Sequence, residues 1–196
     1  MLSPGWRCTT HGPVLPAKMS SSLTEQWVRN VANLSDVPLW LPWPLPAGWM
    51  VTGAVSVGDE KSAGPACALL CSGPGARAGP AELALIAEEP GVGLGAGYAG
   101  LPGPDVGTGP LEGAPTTRVV AGQHDVPLWE VALPTGQPDR SVYVGEAEGC
   151  WLWAVAWPME AGLVLHDSVR LVDMRDPGHV LDFPLGAVSP RWRPGQ

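Results

Sequence analysis

The sequence predicts an α+β fold. Its main element is a curved, mainly antiparallel sheet built from two meanders. One helix is predicted near the N-terminus, and a segment late in the chain is a candidate for a second helix. Two observations predict this fold. Apolar runs of strand length alternate with Gly/Pro turns through most of the 196 residues. A single amphipathic stripe, typical of a helix, precedes them. The length fits one domain with an N-terminal appendage.

The N-terminal helix is predicted over residues 22–33. Ser22 and Glu25 have the spacing of a capping box, in which a hydroxyl and a carboxylate satisfy free backbone N–H groups. The apolar residues that follow recur at helical spacing and form one stripe: Leu23, Trp27, Val31 and Leu34. Alternating prolines over residues 38–46 then exclude a helix and favour extended backbone.

Seven strands are predicted from apolar runs bounded by turn residues. They are Met50–Val57, Ala66–Cys71, Leu83–Glu88, Thr117–Val120, Leu128–Leu133, Ser141–Glu146 and Cys150–Trp157. Residues 90–115, rich in Gly and Pro, separate the two groups of strands as a long loop. Residues 162–174 fit either a strand or a short helix, because their apolar side chains match both periods.

Composition excludes several classes of function. The net charge of −8 disfavours a nucleic-acid binder, which needs a basic face. No run approaches the ~20 apolar residues that span a bilayer, so no membrane association is expected. Residues 1–18 contain no apolar core of a secretory signal. We therefore expect a cytoplasmic protein whose four cysteines stay reduced.

One Cys/His pair has metal-ligand spacing. Cys8 and His11, in Cys-x-x-His, can place a thiolate and an imidazole on one zinc ion. A structural zinc needs four ligands, and Cys67 and Cys71 cannot complete the set, because four residues of strand separate them by roughly 13 Å. The pair is therefore either half of a lost zinc ribbon, an incomplete metal site, or without significance.

Five segments together resemble an uncharacterised actinobacterial family, a domain of unknown function. The segments are Trp6–Gly12, Val37–Trp49, Ala87–Gly95, Tyr98–Asp105 and Gly145–Trp153. Members of such a family typically carry a Cys-Pro-x-Cys knuckle upstream of the Trp-x-Cys-x-x-His. The resemblance therefore implies that residues 1–20 are an irregular remnant of a zinc-ribbon-like segment, truncated by a start codon assigned too late or by degeneration.

The length and the pattern of elements predict the organisation of the rest of the chain. Residues 21–190 form one α+β domain, and residues 191–196 form a disordered tail. No cofactor is expected, with zinc implied only where an upstream Cys-x-x-Cys exists to join Cys8 and His11.

The loop after the third strand is the candidate ligand site. Its candidate residues are Glu88, Glu89, Gly91, Gly93, Gly95, Gly97, Tyr98 and Asp105. Gly-x-Gly-x-x-Gly at 95–100 does not indicate a dinucleotide fold, because Pro102 and Pro104 oppose the helix that must follow. Successive glycines can still form an anion-binding nest, or simply a flexible loop over a sheet edge.

Two further features lie near the second group of strands. Glu146 and Glu148, two residues apart, share one face of a strand and can act as paired carboxylates. Trp151, Trp153 and Trp157 also share one face, as either a core wall or an aromatic ligand platform. We favour the core wall.

Two functions remain open. The first is a cytosolic binding or protein-interaction module, because no catalytic set can be defended from spacing. The alternative is a small-metabolite enzyme of acyl- or phosphoryl-transfer type that uses the loop 88–105. The partner is accordingly an unknown protein or a small anionic ligand.

Overall fold

A computed structural model describes residues 7–8, 12–13, 15–58, 64–77, 79–107, 111–134, 139–166, 169–176, 182–189 and 191. The strands run β1 Arg7–Cys8, β2 Gly12–Pro13, β3 Ala17–Met19, β4 Trp40–Pro42, β5 Met50–Val57, β6 Ala66–Pro74, β7 Pro80–Glu88, β8 Thr117–Ala121, β9 His124–Glu130, β10 Ser141–Ala147, β11 Cys150–Trp157 and β12 Arg170–Asp173. The helices are α1 Glu25–Asn33, α2 Leu94–Ala99 and a 3-10 helix at Met159–His166.

The described strands form one large, mainly antiparallel sheet. Its order is β3-β5-β6-β7-β11-β10-β9-β8-β12-β4, with β12 and β8 parallel and β1 and β2 forming a separate pair. Strand β4, at one edge, also packs across β6 and β7. The sheet must therefore curve strongly to bring its far end over its centre, and it does not close. The α+β class and the mainly antiparallel sheet are confirmed.

The sheet has two apolar faces. The concave face buries the larger core, which holds α1, β4 and the alternate side chains Leu152, Ala154 and Ala156 of β11. The other face carries Trp153, Val155 and Trp157, and is covered by α2 and the loop around it. The period-two alternation predicted for β11 is thus confirmed, and Trp153 is completely buried, as a core wall requires.

Helix α1 begins later than predicted. Thr24, not Ser22, is the N-cap, and its Oγ1 accepts the Trp27 N–H at 3.1 Å. Glu25 is then the first helical residue and pairs with Arg29 one turn on, so the predicted capping box is wrong. The indole N–H of Trp27 donates to the Ala54 carbonyl at 2.9 Å, which fixes the helix on β5.

The loop predicted at 90–115 contains a short helix. Helix α2 fits ahead of Pro102 and Pro104 because it ends at Ala99, and Gly100 adopts the left-handed conformation (φ 75°) that terminates it. The ambiguous segment 162–174 divides into the end of the 3-10 helix and strand β12. Among the described helices, none combines the length and the apolar character needed to cross a membrane.

Candidate functional site

Glu88 is a completely buried acid at the end of a central strand. It is the last residue of β7, opposite Ala66 of β6 and Trp151 of β11. Its side chain lies on the face that α2 covers, and none of its surface is exposed. An acid in that position must be hydrogen-bonded or remain protonated.

The Glu88 carboxyl caps helix α2. Its Oε2 accepts the N–H groups of Leu94 at 2.6 Å and Gly95 at 3.2 Å, whereas Oε1 has no hydrogen-bond partner among the described residues. Burial raises the Glu88 pKa to about 7, opposed by these two N–H groups and by the nearby Trp153 indole, and assisted by the charge of Asp105. The Trp153 N–H nevertheless lacks hydrogen-bond geometry.

The glycine loop is closed by its own contacts. Gly91 donates its N–H to Asp105 Oδ1 at 3.1 Å, and Gly97 donates to the Gly93 carbonyl at 3.0 Å. Gly93 is left-handed (φ 83°), and a Cβ there would lie 3.0 Å from Pro104. The described N–H groups of Gly91, Leu94, Gly95 and Gly97 are therefore committed to acceptors within the protein.

Tyr98 joins the loop to β10. Its carbonyl accepts the Arg140 Nη1–H at 2.9 Å. Burial raises the pKa of its phenol to about 12, so the ring stays neutral in the ordinary pH range. Tyr98 therefore packs as part of the cover over the sheet.

Gly95 permits the close contact between α2 and Trp153. A Cβ on Gly95 would lie 2.4 Å from the indole ring, whereas a Cβ on Gly97, in the same helix, would meet nothing within 4 Å. The structure thus has no space for a side chain at Gly95, whereas it has space for one at Gly97.

Gly95→Ala is expected to lower the free energy of unfolding by about 1–3 kcal/mol, because the methyl group overpacks the core against Trp153. Gly97→Ala is the matched control. It is expected to raise stability by up to about 1 kcal/mol, through the higher helix propensity of alanine. Urea denaturation measures both, and equal effects of the two changes would contradict the packing described.

The other predicted acids do not join Glu88. Glu146 lies opposite Trp151 in the register, on the same row as Glu88 but two strands away, which is about 10 Å along the sheet. It is exposed, as is Glu89. Glu148 lies beyond the end of β10 in a left-handed turn (φ 54°) and pairs with Arg175 at 3.5 Å. The expected pairing of Glu146 and Glu148 on one strand face is therefore wrong, because the strand ends at Ala147.

The predicted metal ligands Cys8 and His11 lie outside the described side chains. In the part of the chain that the structure describes, no three His, Cys, Asp or Glu residues are grouped to hold a metal ion. Burial raises the pKa values of Cys67 and Cys71 to about 12, so both remain thiols in the core.

A cleft that the sequence did not reveal opens at the opposite end of the same strands. Trp157 and Glu82 face each other across β11 and β7 there, and β10 begins beside them. The cleft has a volume of about 450 Å³, within the range of small-ligand sites. It is lined by Pro80, Glu82, Asp139, Trp157, Pro158, Met159, Glu160 and Arg191.

Charged groups of both signs surround the Trp157 ring. Arg140 donates to both oxygens of Asp139, from Nε at 2.9 Å and from Nη2 at 3.4 Å, and this pairing lowers the Asp139 pKa. The Arg140 guanidinium carbon also lies 4.6 Å from the ring centroid, at cation–π distance. Arg77 pairs more loosely with Glu160, at 3.7 Å.

Glu82 is the least satisfied acid of the cleft. Its Oε1 accepts the Ser189 hydroxyl at 2.8 Å, but its Oε2 is buried without a hydrogen-bond partner among the described residues. The nearest cation, Arg191, has its Nε 3.8 Å from that oxygen, too far for a hydrogen bond. A buried carboxylate oxygen without a donor carries a desolvation cost that a donor group can relieve.

The structure thus defines an α+β protein with a buried acid under a glycine loop at one end of the sheet and a charged aromatic cleft at the other. The chain belongs to a family of unknown function (DUF6758), whose model matches residues 1–192. No curated protein and no solved structure matches it.

Proposed function

We propose that the chain is a binding module whose cleft at Trp157 receives a positively charged group of a partner. The observation that carries this proposal is the buried Oε2 of Glu82, which has an aromatic ring beside it and no hydrogen-bond donor among the residues that the structure describes. A guanidinium or ammonium group is the donor that such a carboxylate binds most strongly. Trp is also the side chain that attracts a cation best through its ring face.

The charge of the cleft supports a cationic ligand. Of the described residues that line it, Glu82, Asp139 and Glu160 are acids, and Arg191 is the cation. Asp139 is paired with Arg140 and Glu160 with Arg77, so Glu82, with Arg191 at 3.8 Å, is the acid of the cleft that is left to attract a cation. The net charge of −8 on the whole chain also attracts cations over longer distances.

A second candidate function rests on Glu88. Its pKa of about 7 lies in the range that suits a general acid or base, so an acyl- or phosphoryl-transfer site at the loop 88–105 has one appropriate group. The complete burial of Glu88 and the internal use of the N–H groups of Gly91, Leu94, Gly95 and Gly97 disfavour an anion site there, and we therefore favour the binding module. We also propose that the protein is cytoplasmic.

Glu82→Gln is expected to weaken binding of acetyl-arginine amide by about 10- to 100-fold, because one charge-assisted hydrogen bond is lost. Isothermal titration calorimetry measures the affinity. Glu112→Gln, which removes an exposed carboxylate outside the cleft, is the matched control and should leave the affinity unchanged.

Inorganic phosphate in the same titration separates the two candidate functions. The binding module predicts a response to the arginine probe and none to phosphate. Phosphate binding that Glu82→Gln leaves intact, with no response to the arginine probe, would favour the enzyme at the loop 88–105.

A further inference from the structure

The C-terminal segment reaches the cleft through a defined path. Phe183 is buried in the concave core. The Val51 N–H donates to the Pro184 carbonyl at 2.9 Å, and the Gly186 N–H donates to the Val51 carbonyl at 2.8 Å. These bonds fix residues 183–186 alongside β5, and the segment then continues to Ser189 at Glu82.

Arg191 ends this path among the groups that a cationic ligand would contact. Its Nε is 3.8 Å from Glu82 Oε2, its Nη1 is 3.9 Å from Asp139 Oδ2, and its guanidinium carbon is 5.8 Å from the Trp157 ring centroid. Its backbone N–H donates to Ser189 Oγ at 3.3 Å. One guanidinium therefore faces both acids and the ring.

The contacts of the Arg191 guanidinium with Glu82 and Asp139 are ion pairs without hydrogen bonds. Both N···O distances exceed the hydrogen-bond range, and the side chain is 48% exposed. An untethered guanidinium can approach Glu82 more closely, because no backbone connection limits its position. Because Arg191 is covalently linked to the segment fixed along β5, its local concentration at the cleft is high. A weak contact needs such a high local concentration in order to persist.

We infer that Arg191 is an internal ligand of the Trp157 cleft, and that the external ligand is an arginine side chain presented by a partner protein. This inference rests on the proposed function. The partner's guanidinium would displace Arg191 from Glu82 and Asp139, so the C-terminal segment lowers the apparent affinity for the partner. Arg191 of the C-terminal segment then occupies the cleft until a partner that binds more strongly displaces it.

The test is Arg191→Ala in the full chain, titrated with acetyl-arginine amide. Removal of the internal ligand is expected to tighten binding at least fivefold relative to the wild type. Arg118→Ala is the control, because it removes an exposed arginine whose ion pair is with Asp125, outside the cleft, and it should leave the affinity unchanged. Ser189→Ala removes the hydroxyl that anchors the segment to Glu82 and should also tighten binding.

The titration of Arg191→Ala distinguishes an internal ligand from a residue of the cleft wall. Tighter binding by Arg191→Ala, or binding seen only in that variant, supports the internal ligand. Equal or weaker binding by Arg191→Ala overturns it, because Arg191 then belongs to the wall of the site, although the cation site itself remains. Absence of binding in both proteins overturns the proposed cation site and this inference with it.

Discussion

Trp153→Ala is expected to lower the free energy of unfolding by about 3–5 kcal/mol, the largest effect of any single change considered for this protein. The indole is completely buried on the face between β11 and α2. Its removal leaves a cavity, and Gly95, which has no side chain, cannot fill it. The loss therefore includes both the transfer free energy of the indole and the cost of the cavity.

Equilibrium urea denaturation followed by far-UV circular dichroism measures this loss without relying on tryptophan fluorescence. Trp151→Ala is the matched control, because Trp151 lies on the same strand and face but is only partly buried, and it should cost less. The double variant with Gly95→Ala gives a sharper test. The new methyl group should enter the cavity, so the cost of Gly95→Ala should shrink in the Trp153→Ala background. Additive effects would show that the two residues are not in contact.

The elements that depend on local pattern could be predicted. The bounds of β5 and β11 follow from apolar runs and turn residues, and the alternation in β11 assigns each side chain to its face. The start of α1 and the existence of α2 were harder to predict from the sequence. Ser22 and Thr24 are both good caps, and only the packed structure shows which hydroxyl reaches a free N–H.

The two sites differ in how far the sequence reveals them. Glu88 and its loop are contiguous, so their proximity could be predicted, but the burial that makes Glu88 unusual depends on the pairing of β7 with β11, a strand far along the chain, and on α2 packed against both strands. The cleft combines Glu82 and Asp139, which the pairing of β7 with β11 and of β11 with β10 brings together, with Arg191, which the C-terminal segment carries there past β5. The only local indication of the cleft in the sequence is the presence of aromatic and charged residues at strand ends.

Glu88→Gln is expected to stabilise the protein relative to the wild type by up to about 3 kcal/mol above pH 7, and by little near pH 4.5. The glutamine carbonyl can still accept the N–H groups of Leu94 and Gly95, whereas the buried negative charge is gone. Asp105 is the charged group that acts on this carboxyl, and it further disfavours ionisation.

The direction follows from the raised pKa. Below the ordinary value of 4.5, Glu88 holds its proton in both the folded and the unfolded state, and the buried acid carries no ionisation penalty. Between 4.5 and about 7 the unfolded chain releases the proton while the folded protein keeps it, so this contribution to stability is lost as the pH rises. Above about 7 both states are ionised, and the full penalty of a buried charge remains.

Urea denaturation of the wild type and Glu88→Gln at pH 4.5, 5.5, 6.5 and 7.5 tests this linkage, because the difference between the two proteins cancels the titration of the other groups. Glu89→Gln is the control, since it removes the neighbouring exposed carboxylate and leaves Glu88 in place. A wild-type–variant difference that stays constant with pH would mean that Glu88 ionises as readily in the folded protein as in the unfolded chain. A difference that grows with pH would also show that α2 keeps an ionised cap at pH 7.5 at the expense of stability, because the Leu94 and Gly95 N–H groups offset only part of the burial cost.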